Sequence, residues 1–244
     1  MAFPTTPVLD DFNRSNGAIG SNWSTPAVGS SDVAPTINTN VVIAGTSVYG
    51  SAYWNVETFG PDCEVYMTIP AAATGWSAGF LTCRAQDINT ASQDEYQIQI
   101  DVSGGIDLKR TINDTQSAVL LALADVINAG DKIGMRVITQ GNDNLIEIWA
   151  DVGAGWVMLD DYLDVNANST YPVIANAGYI AFALYGNSAV TRSIDDFGGG
   201  TYVPLALDEA LPDADIVTTG WATAPLFSKV NDASDGTVIT ATAS

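Results

Sequence analysis

Apolar and polar residues alternate with a period of two along much of the first two hundred positions of the chain. Ile98, Ile100 and Val102 interleave with Gln97, Gln99 and Asp101 and end at Ser103-Gly104-Gly105. In a strand this spacing sends the two sets to opposite faces. The segment after the turn repeats the pattern, with Ile106, Leu108 and Ile112 on one face and Asp107, Lys109 and Thr111 on the other. Residues 97–112 are therefore predicted to form an antiparallel hairpin with one solvated face. From 132 to 139, Ile133, Met135 and Val137 point inward; a Gly141-Asn142-Asp143-Asn144 turn follows. Residues 145–150, Gly153-Ala154-Gly155 and then 156–159 continue the meander. Further strands are predicted over 179–184 and 191–197, with Gly198-Gly199-Gly200 marking the exit from the domain. Residues 118–127 are ambiguous, because Val119, Leu120, Leu123 and Ile127 also suit one face of a helix; strand is the preferred reading.

The tripeptide Asp-Asp-Phe brackets this region, at Asp10-Asp11-Phe12 and Asp195-Asp196-Phe197. Jelly-roll sandwiches often place their first and last strands side by side, so a matched motif at both ends predicts a sheet closing on itself. With 244 residues, 47% of them hydrophobic, the chain has material for one large sandwich with an appendage or for two modest domains.

Charge narrows the function. Eight Lys and Arg stand against 28 Asp and Glu, a net charge of −20, which repels phosphate backbones and anionic lipid, so neither nucleic acid nor membrane is an expected partner. The chain has no histidine, which removes Ser-His-Asp and Cys-His nucleophile systems and His-containing metal sites, and leaves carboxylate chemistry. Met1 to Pro7 carries neither a basic n-region nor an apolar h-region, and synthesis without a signal peptide or anchor is the expectation. Asn-x-Ser/Thr sequons at Asn13, Asn22, Asn113 and Asn168 carry little weight without export. The two cysteines, Cys63 and Cys83, would face each other in a hairpin of 63–69 with 77–83, pairing Val65 with Leu81 and Met67 with Gly79. Two buried free thiols are the preferred reading, and a bridge is the alternative.

Three segments together resemble the concanavalin A-like lectin/glucanase superfamily, in the laminin-G-like form found in bacteriophage structural proteins. They are Leu9 to Arg14 with Gly20-Ser21-Asn22-Trp23, Ala129 to Val137, and Arg192 to Gly200; the resemblance spans about residues 8–202. It implies an all-β, antiparallel jelly-roll β-sandwich (concanavalin A-like) over 1–203, with 204–244 as linker and C-terminal arm or partial β-domain. It also implies a virion structural protein, capsid decoration or tail/fibre component, made in the host cytoplasm without a signal peptide. A glycan-binding lectin module for host-surface attachment is the alternative, and a glycoside hydrolase the third reading. The superfamily's enzymes carry Glu-x-Asp-x-x-Glu on a strand, and that spacing occurs nowhere here. Glu147 and Asp151 share a face, but four residues at the rise of a strand separate their backbones by about 13 Å. Glycosidase carboxylates sit about 5–9.5 Å apart. The chain is therefore expected not to be an enzyme.

For binding, the outward residues of the central strands are Gln97, Gln99, Asp101, Lys109, Arg136, Glu147 and Trp149, a mixture of amides, charges and one indole that suits a sugar groove. Trp149 is either a stacking platform or covered by another segment, the second being preferred. The resemblance further implies a structural calcium near the last strand, with Asp10 or Asp11 and Asp195 or Asp196 as ligands, Asp10 and Asp196 being the named pair. No other cofactor is expected. The acidic stretch Asp160-Asp161-Tyr162-Leu163-Asp164 reads as a solvated turn. After Pro204 an acidic linker leads to a Thr-rich stretch through Trp221, Phe227 and Val238-Ile239, too short for a core of its own. Residues 205–244 are expected to dock on other virion proteins or on copies of the chain, by adding a strand to an exposed edge. A frayed tail, or packing on the chain's own first domain, is the alternative.

Overall fold

The computed structural model describes residues 2–26, 32–44, 49–70, 79–90, 92–101, 104–124, 127–165, 173–185 and 192–204, and the backbone of 227–232 and 236–241. The chain divides into two units, Met1–Val203 and Pro204–Ser244.

In the first unit the strands run, in chain order, β1 (Val8–Asp10), β2 (Gly17–Ala18), β3 (Trp23–Ser24), β4 (Asp32–Val33), β5 (Thr36–Asn38) and β6 (Val41–Ile43). Then come β7 (Tyr49–Trp54), β8 (Cys63–Thr68), β9 (Gly79–Gln86), β10 (Asp94–Ile100), β11 (Ile106–Ile112) and β12 (Thr115–Gln116). The last are β13 (Leu121–Leu123), β14 (Lys132–Gln140), β15 (Asp143–Asp151), β16 (Trp156–Asp164), β17 (Tyr179–Tyr185) and β18 (Ser193–Thr201). No helix occurs among the described residues. In the second unit, β19 (Phe227–Asp232) and β20 (Gly236–Ala241) form an antiparallel hairpin.

Among the described residues, two nine-stranded sheets make the sandwich. The first runs β16-β15-β14-β8-β18-β6-β5-β2 with β1 beside β18, and the second runs β12-β11-β10-β9-β17-β7-β3 with β13 on β11 and β4 on β7. All pairings are antiparallel except β4 with β7. The alternation read from sequence decides which side chains lie between the sheets. Val65, Met67, Ile133, Met135, Val137, Ile146 and Ile148 of the first sheet face Leu81, Ile98, Ile100, Leu108, Ile180 and Phe182 of the second in one core. The two Asp-Asp-Phe copies meet, with Val8 opposite Gly198 and Asp10 opposite Phe197, while Phe12 and Phe197 both pack around Trp23. The last strand thus closes the sheet against the first, as the paired motif predicts.

Four local expectations need correction. Cys63 and Cys83 do not share a hairpin: β8 and β9 belong to different sheets, and the two free, buried thiols interact across the core. A cross-core pair and a cross-strand pair leave the same apolar spacing in sequence, so spacing alone does not separate them. Gly198, Gly199 and Gly200 lie inside β18. They are glycine because of crowding: a Cβ at Gly198 would overlap the Tyr66 ring, and one at Gly199 the Glu64 carbonyl. Of the described residues among 118–127, Leu121–Leu123 alone is a strand. Finally, Asp160 to Asp164 is no turn but the second half of β16, the edge of its sheet, where charge blocks edge-to-edge pairing.

Candidate functional site

The outward faces of the two sheets differ in kind. On the first sheet, Glu64 and Tyr66 of β8, Gly134 and Arg136 of β14, and Glu147 and Trp149 of β15 lie side by side in the ladder register. The chain's own N-terminal residues cover them. Phe3 stacks on Trp149 at 5.1 Å and 3°, edge-on to Tyr66 and Trp156. The ring sits where a Cβ at Gly134 would overlap it, so the absent side chain makes the seat. Arg136, 0% exposed, donates to Glu64 at 2.8 and 2.5 Å, to Glu147 at 3.0 Å and to the Ala2 carbonyl at 2.6 Å. The second Glu64 oxygen accepts from the backbone and hydroxyls of Thr5 and Thr6. Trp149 Nε1 donates to Glu147 at 3.0 Å. Every charge here has a partner within the chain.

The second sheet carries an outward face of another composition. Because residues directly opposite in antiparallel strands share a face, one row crosses it as Tyr53, Ala181, Thr82, Gln97 and Lys109, and the next as Ser51, Ala183, Phe80, Gln99 and Asp107. The small alanines between larger neighbours shape this face as a trough in which Tyr53, Ala181, Thr82, Gln97 and Ser51 are buried and Ala183, Phe80, Gln99, Lys109 and Asp107 half-buried. At the far end of the second row a cavity of about 410 Å³ opens, lined by Asp101, Gly105, Ile106, Asp107, Ala122, Leu123 and Ala124.

Hydrogen bonds fix the amides along this trough. Gln93 Nε2 donates to Glu95 Oε2 at 2.8 Å, Gln97 Nε2 reaches Glu95 Oε1 at 3.4 Å, and Gln116 Nε2 donates to Gln97 Oε1 at 3.0 Å. The order of donors and acceptors sets which way the Gln97 amide points. Lys109 Nζ donates to Gln99 Oε1 at 2.6 Å, leaving the Gln99 NH₂ directed away from it. Ser51 donates to Asp32 at 2.6 Å. Burial pushes the Glu95 carboxyl up to about 7, with Asp114 and Asp32 adding like charge; burial raises Asp32 also, against the Ser51 hydrogen bond.

The residues proposed from sequence as one outward set therefore divide. Gln97, Gln99 and Lys109 lie together on the second sheet, while Arg136, Glu147 and Trp149 lie on the first, beneath the N-terminal segment. A strand pattern reports the outward face but not which sheet owns it. The cover over Trp149 had no periodic signal, since Ala2 to Thr6 has no strand pattern. Ser51, Thr82, Glu95 and Asp32 are part of the trough that sequence reasoning missed: residues 32–33 and 49–54 were not read as strands, the strand 77–83 was read only for its apolar face, and the strand of Gln97 was begun two positions after Glu95.

The calcium ligands do not assemble. Both oxygens of Asp10 are occupied, Oδ1 by Phe12 N and Arg14 Nη1 at 2.9 and 2.6 Å, and Oδ2 by Arg14 Nη2 and Trp23 Nε1 at 2.9 and 2.8 Å. A guanidinium against the carboxylate opposes a second cation, and Ca²⁺ asks for about six to eight oxygens. Asp196 accepts from Thr68 at 3.3 Å. No group of three or more metal-ligating side chains occurs among the described residues. Asp10 instead ties Arg14 and Trp23 to the closing strand.

Asp164, at the end of the misread acidic stretch, is 3% exposed and pairs with Arg110 at 2.6 and 2.7 Å and Tyr96 at 2.5 Å. Tyr96 in turn accepts from Asn144, whose Oδ1 accepts from Arg84 at 2.8 Å. Arg84 also donates to the carbonyls of Pro61 and Ile174 and to Thr139. The register shifts where β10 and β17 meet β9 near this position, and Arg84 has φ of 53°. Such a bulge turns Arg84 inward next to Cys83, across from the first sheet. This network joins the sheets; with Arg84, Tyr96, Arg110, Asn144 and Asp164 all buried, its charges are spent on one another.

No family model and no curated protein matches the chain. Solved structures do. The exoplasmic/lumenal domain of VIP36, bound to Ca²⁺ and Man3GlcNAc, superposes with a TM-score of 0.50 at 12% identity, covering 80% of this chain and 88% of that one. The carbohydrate-binding module CBM66 from Bacillus subtilis gives 0.49 at 15% identity, covering 74% and 96%. A Bacillus licheniformis β-glucanase gives 0.48 at 13% identity, covering 80% and 97%. The first unit is a concanavalin A-like jelly roll.

Proposed function

We propose that the protein is a glycan-binding module, and that the outward trough of the second sheet receives the sugar. The observation that carries this reading is the oriented amide pair Gln97 and Gln99 with Lys109, laid beside Phe80 on a sheet face whose Gln99, Lys109 and Phe80 are half-buried, with a cavity at Asp107, next to Gln99 in the same row. Fixed amides and an ammonium group discriminate hydroxyls by direction, and a flat aromatic face beside them receives the apolar side of a pyranose. The outward face of the first sheet is taken by the chain's own Phe3 and is structural in this reading. The fold shared with VIP36, whose structure holds Man3GlcNAc, agrees with binding without deciding it.

The reading is of binding and not of turnover. Glu95, the carboxyl nearest the trough that holds its proton near neutrality, has both oxygens engaged by Gln93 and Gln97. Display on a bacteriophage particle, with residues 205–244 as the anchoring arm, is the wider setting that the sequence resemblance supports. Of that arm only the β19–β20 backbone falls within the described residues.

A glycan array tests the proposal. The full chain should give a signal that Gln99→Ala and Lys109→Ala each reduce at least fivefold and that Trp149→Ala, if folded, leaves in place. A signal lost with Trp149 and kept with Gln99 and Lys109 would transfer the site to the first sheet, and turnover of a β-glucan would replace binding by hydrolysis.

A further inference from the structure

The chain has five arginines, and four of them pair with a carboxylate: Arg14 with Asp10, Arg84 with Asp62, Arg110 with Asp164 and Arg136 with Glu64 and Glu147. Arg192 is the fifth. It is 5% exposed, and its Nε and Nη1 are buried with no hydrogen-bond partner. Its guanidinium lies over the Tyr185 ring at 5.1 Å. In a protein with 28 acidic residues, a buried guanidinium that pairs with no carboxylate among the described residues is costly, because a desolvated charge and unmade donors both oppose folding. A ring face offsets a part of that cost. It leaves the in-plane donors unused.

Those donors lie at one end of the trough. Tyr185 stands opposite Tyr49 in the β17–β7 ladder, ring centroids 4.7 Å apart, and Tyr49 lies 6.2 Å from Phe80. Tyr49, Tyr185 and Phe80 are all half-buried, so the aromatic run is accessible where it meets the row of Phe80 and Gln99.

We propose that Arg192 is the anchor for an anionic group, so that the saccharide bound along the trough is an acidic one, carrying a carboxylate or a sulfate. An oxygen of either group accepts a charge-assisted hydrogen bond from Nε or Nη1, the donors that lack a partner. With a net charge of −20, long-range attraction does not bring such a ligand in. Selectivity arises at contact, where the desolvated donors gain a partner they lack in the free protein. This inference rests on the glycan-binding reading for its ligand class, but the anion site itself does not.

Calorimetric titration of the full chain tests it with matched pairs: tetragalacturonate against its methyl ester, and dextran sulfate oligomers against dextran. The acidic member of at least one pair should bind about tenfold or more tightly than its neutral partner, the gain of one or more hydrogen bonds to a charged group. Whether the carboxylate or the sulfate pair shows the preference identifies the anion. Arg192→Gln should lower the acid to the level of its neutral partner, and Arg192→Lys, which keeps charge but loses the fork, should give an intermediate value. Equal binding within both pairs, or a preference that survives Arg192→Gln, overturns the inference. If no saccharide binds but sodium sulfate alone binds the wild-type chain and not Arg192→Gln, the anion site stands and the glycan reading falls.

Discussion

Glu95 makes the sharpest test of the trough's electrostatics. Its side chain is 7% exposed and its carboxyl is raised from 4.5 to about 7, first by burial and then by the charges of Asp114 and Asp32, against the opposing Gln93 hydrogen bond. The folded state thus favours the protonated form. A raised carboxyl contributes its stability in full below the unfolded value near 4.5 and loses it as pH rises through 7. At about 1.36 kcal/mol per pH unit, the loss between pH 4 and pH 8 comes to about 3 kcal/mol. Glu95→Gln keeps the shape and removes the titration. It alters one hydrogen bond to Gln97, worth about 1 kcal/mol at every pH. The assay is urea denaturation of both proteins at pH 4, 6 and 8, compared as a difference so that all other carboxyls cancel. The variant should gain on the wild type steadily from pH 4 to pH 8, by about 3 kcal/mol in all. A difference that stays flat across this range would refute the placement of Glu95 in a desolvated, acid-lined recess.

Two further outcomes follow from the buried contacts. Phe3→Ala should destabilise the chain by about 3 kcal/mol in chemical denaturation, at the lower end for a buried phenylalanine because a terminal segment peels away without leaving a sealed cavity; a loss below 1 kcal/mol would mean that the N-terminal cover is not seated. Arg84→Met should cost about 3 kcal/mol by the same assay, since it leaves the buried Asn144 Oδ1 without its donor, takes one of two donors from the Ile174 carbonyl and removes the contacts to Pro61, Thr139 and Asp62, and a near-neutral result would mean that water reaches the network.

Strand alternation and the repeated Asp-Asp-Phe were enough to read the fold, because inward and outward positions in a half-buried sheet obey a strict period and the closing strands carry matched residues. Sheet ownership was not legible. Gln97 and Arg136 each sit on an outward face, and nothing in a period of two says that β10 and β14 lie on opposite sides of the core. For the same reason Cys63 and Cys83 read as neighbours along one sheet when they meet across two. Asp164 was misread because an edge strand and a solvated turn are both acidic; only the contact with Arg110, 54 positions away, distinguishes them. Arg84 points inward through a one-residue bulge, an event that periodicity records only as a missed beat. The Arg192 environment is likewise tertiary, set by the Tyr185 ring on β17.

The central claim is that ligands meet the second sheet and not the first. Backbone amide chemical shifts, followed by NMR as a saccharide selected on the array is titrated into the labelled chain, test it most directly. The account predicts saturable shifts at Phe80, Thr82, Gln97, Gln99 and Lys109, with Arg136, Glu147 and Trp149 unmoved. Shifts concentrated on Arg136, Glu147, Trp149 and Phe3, with the second sheet silent, would contradict it.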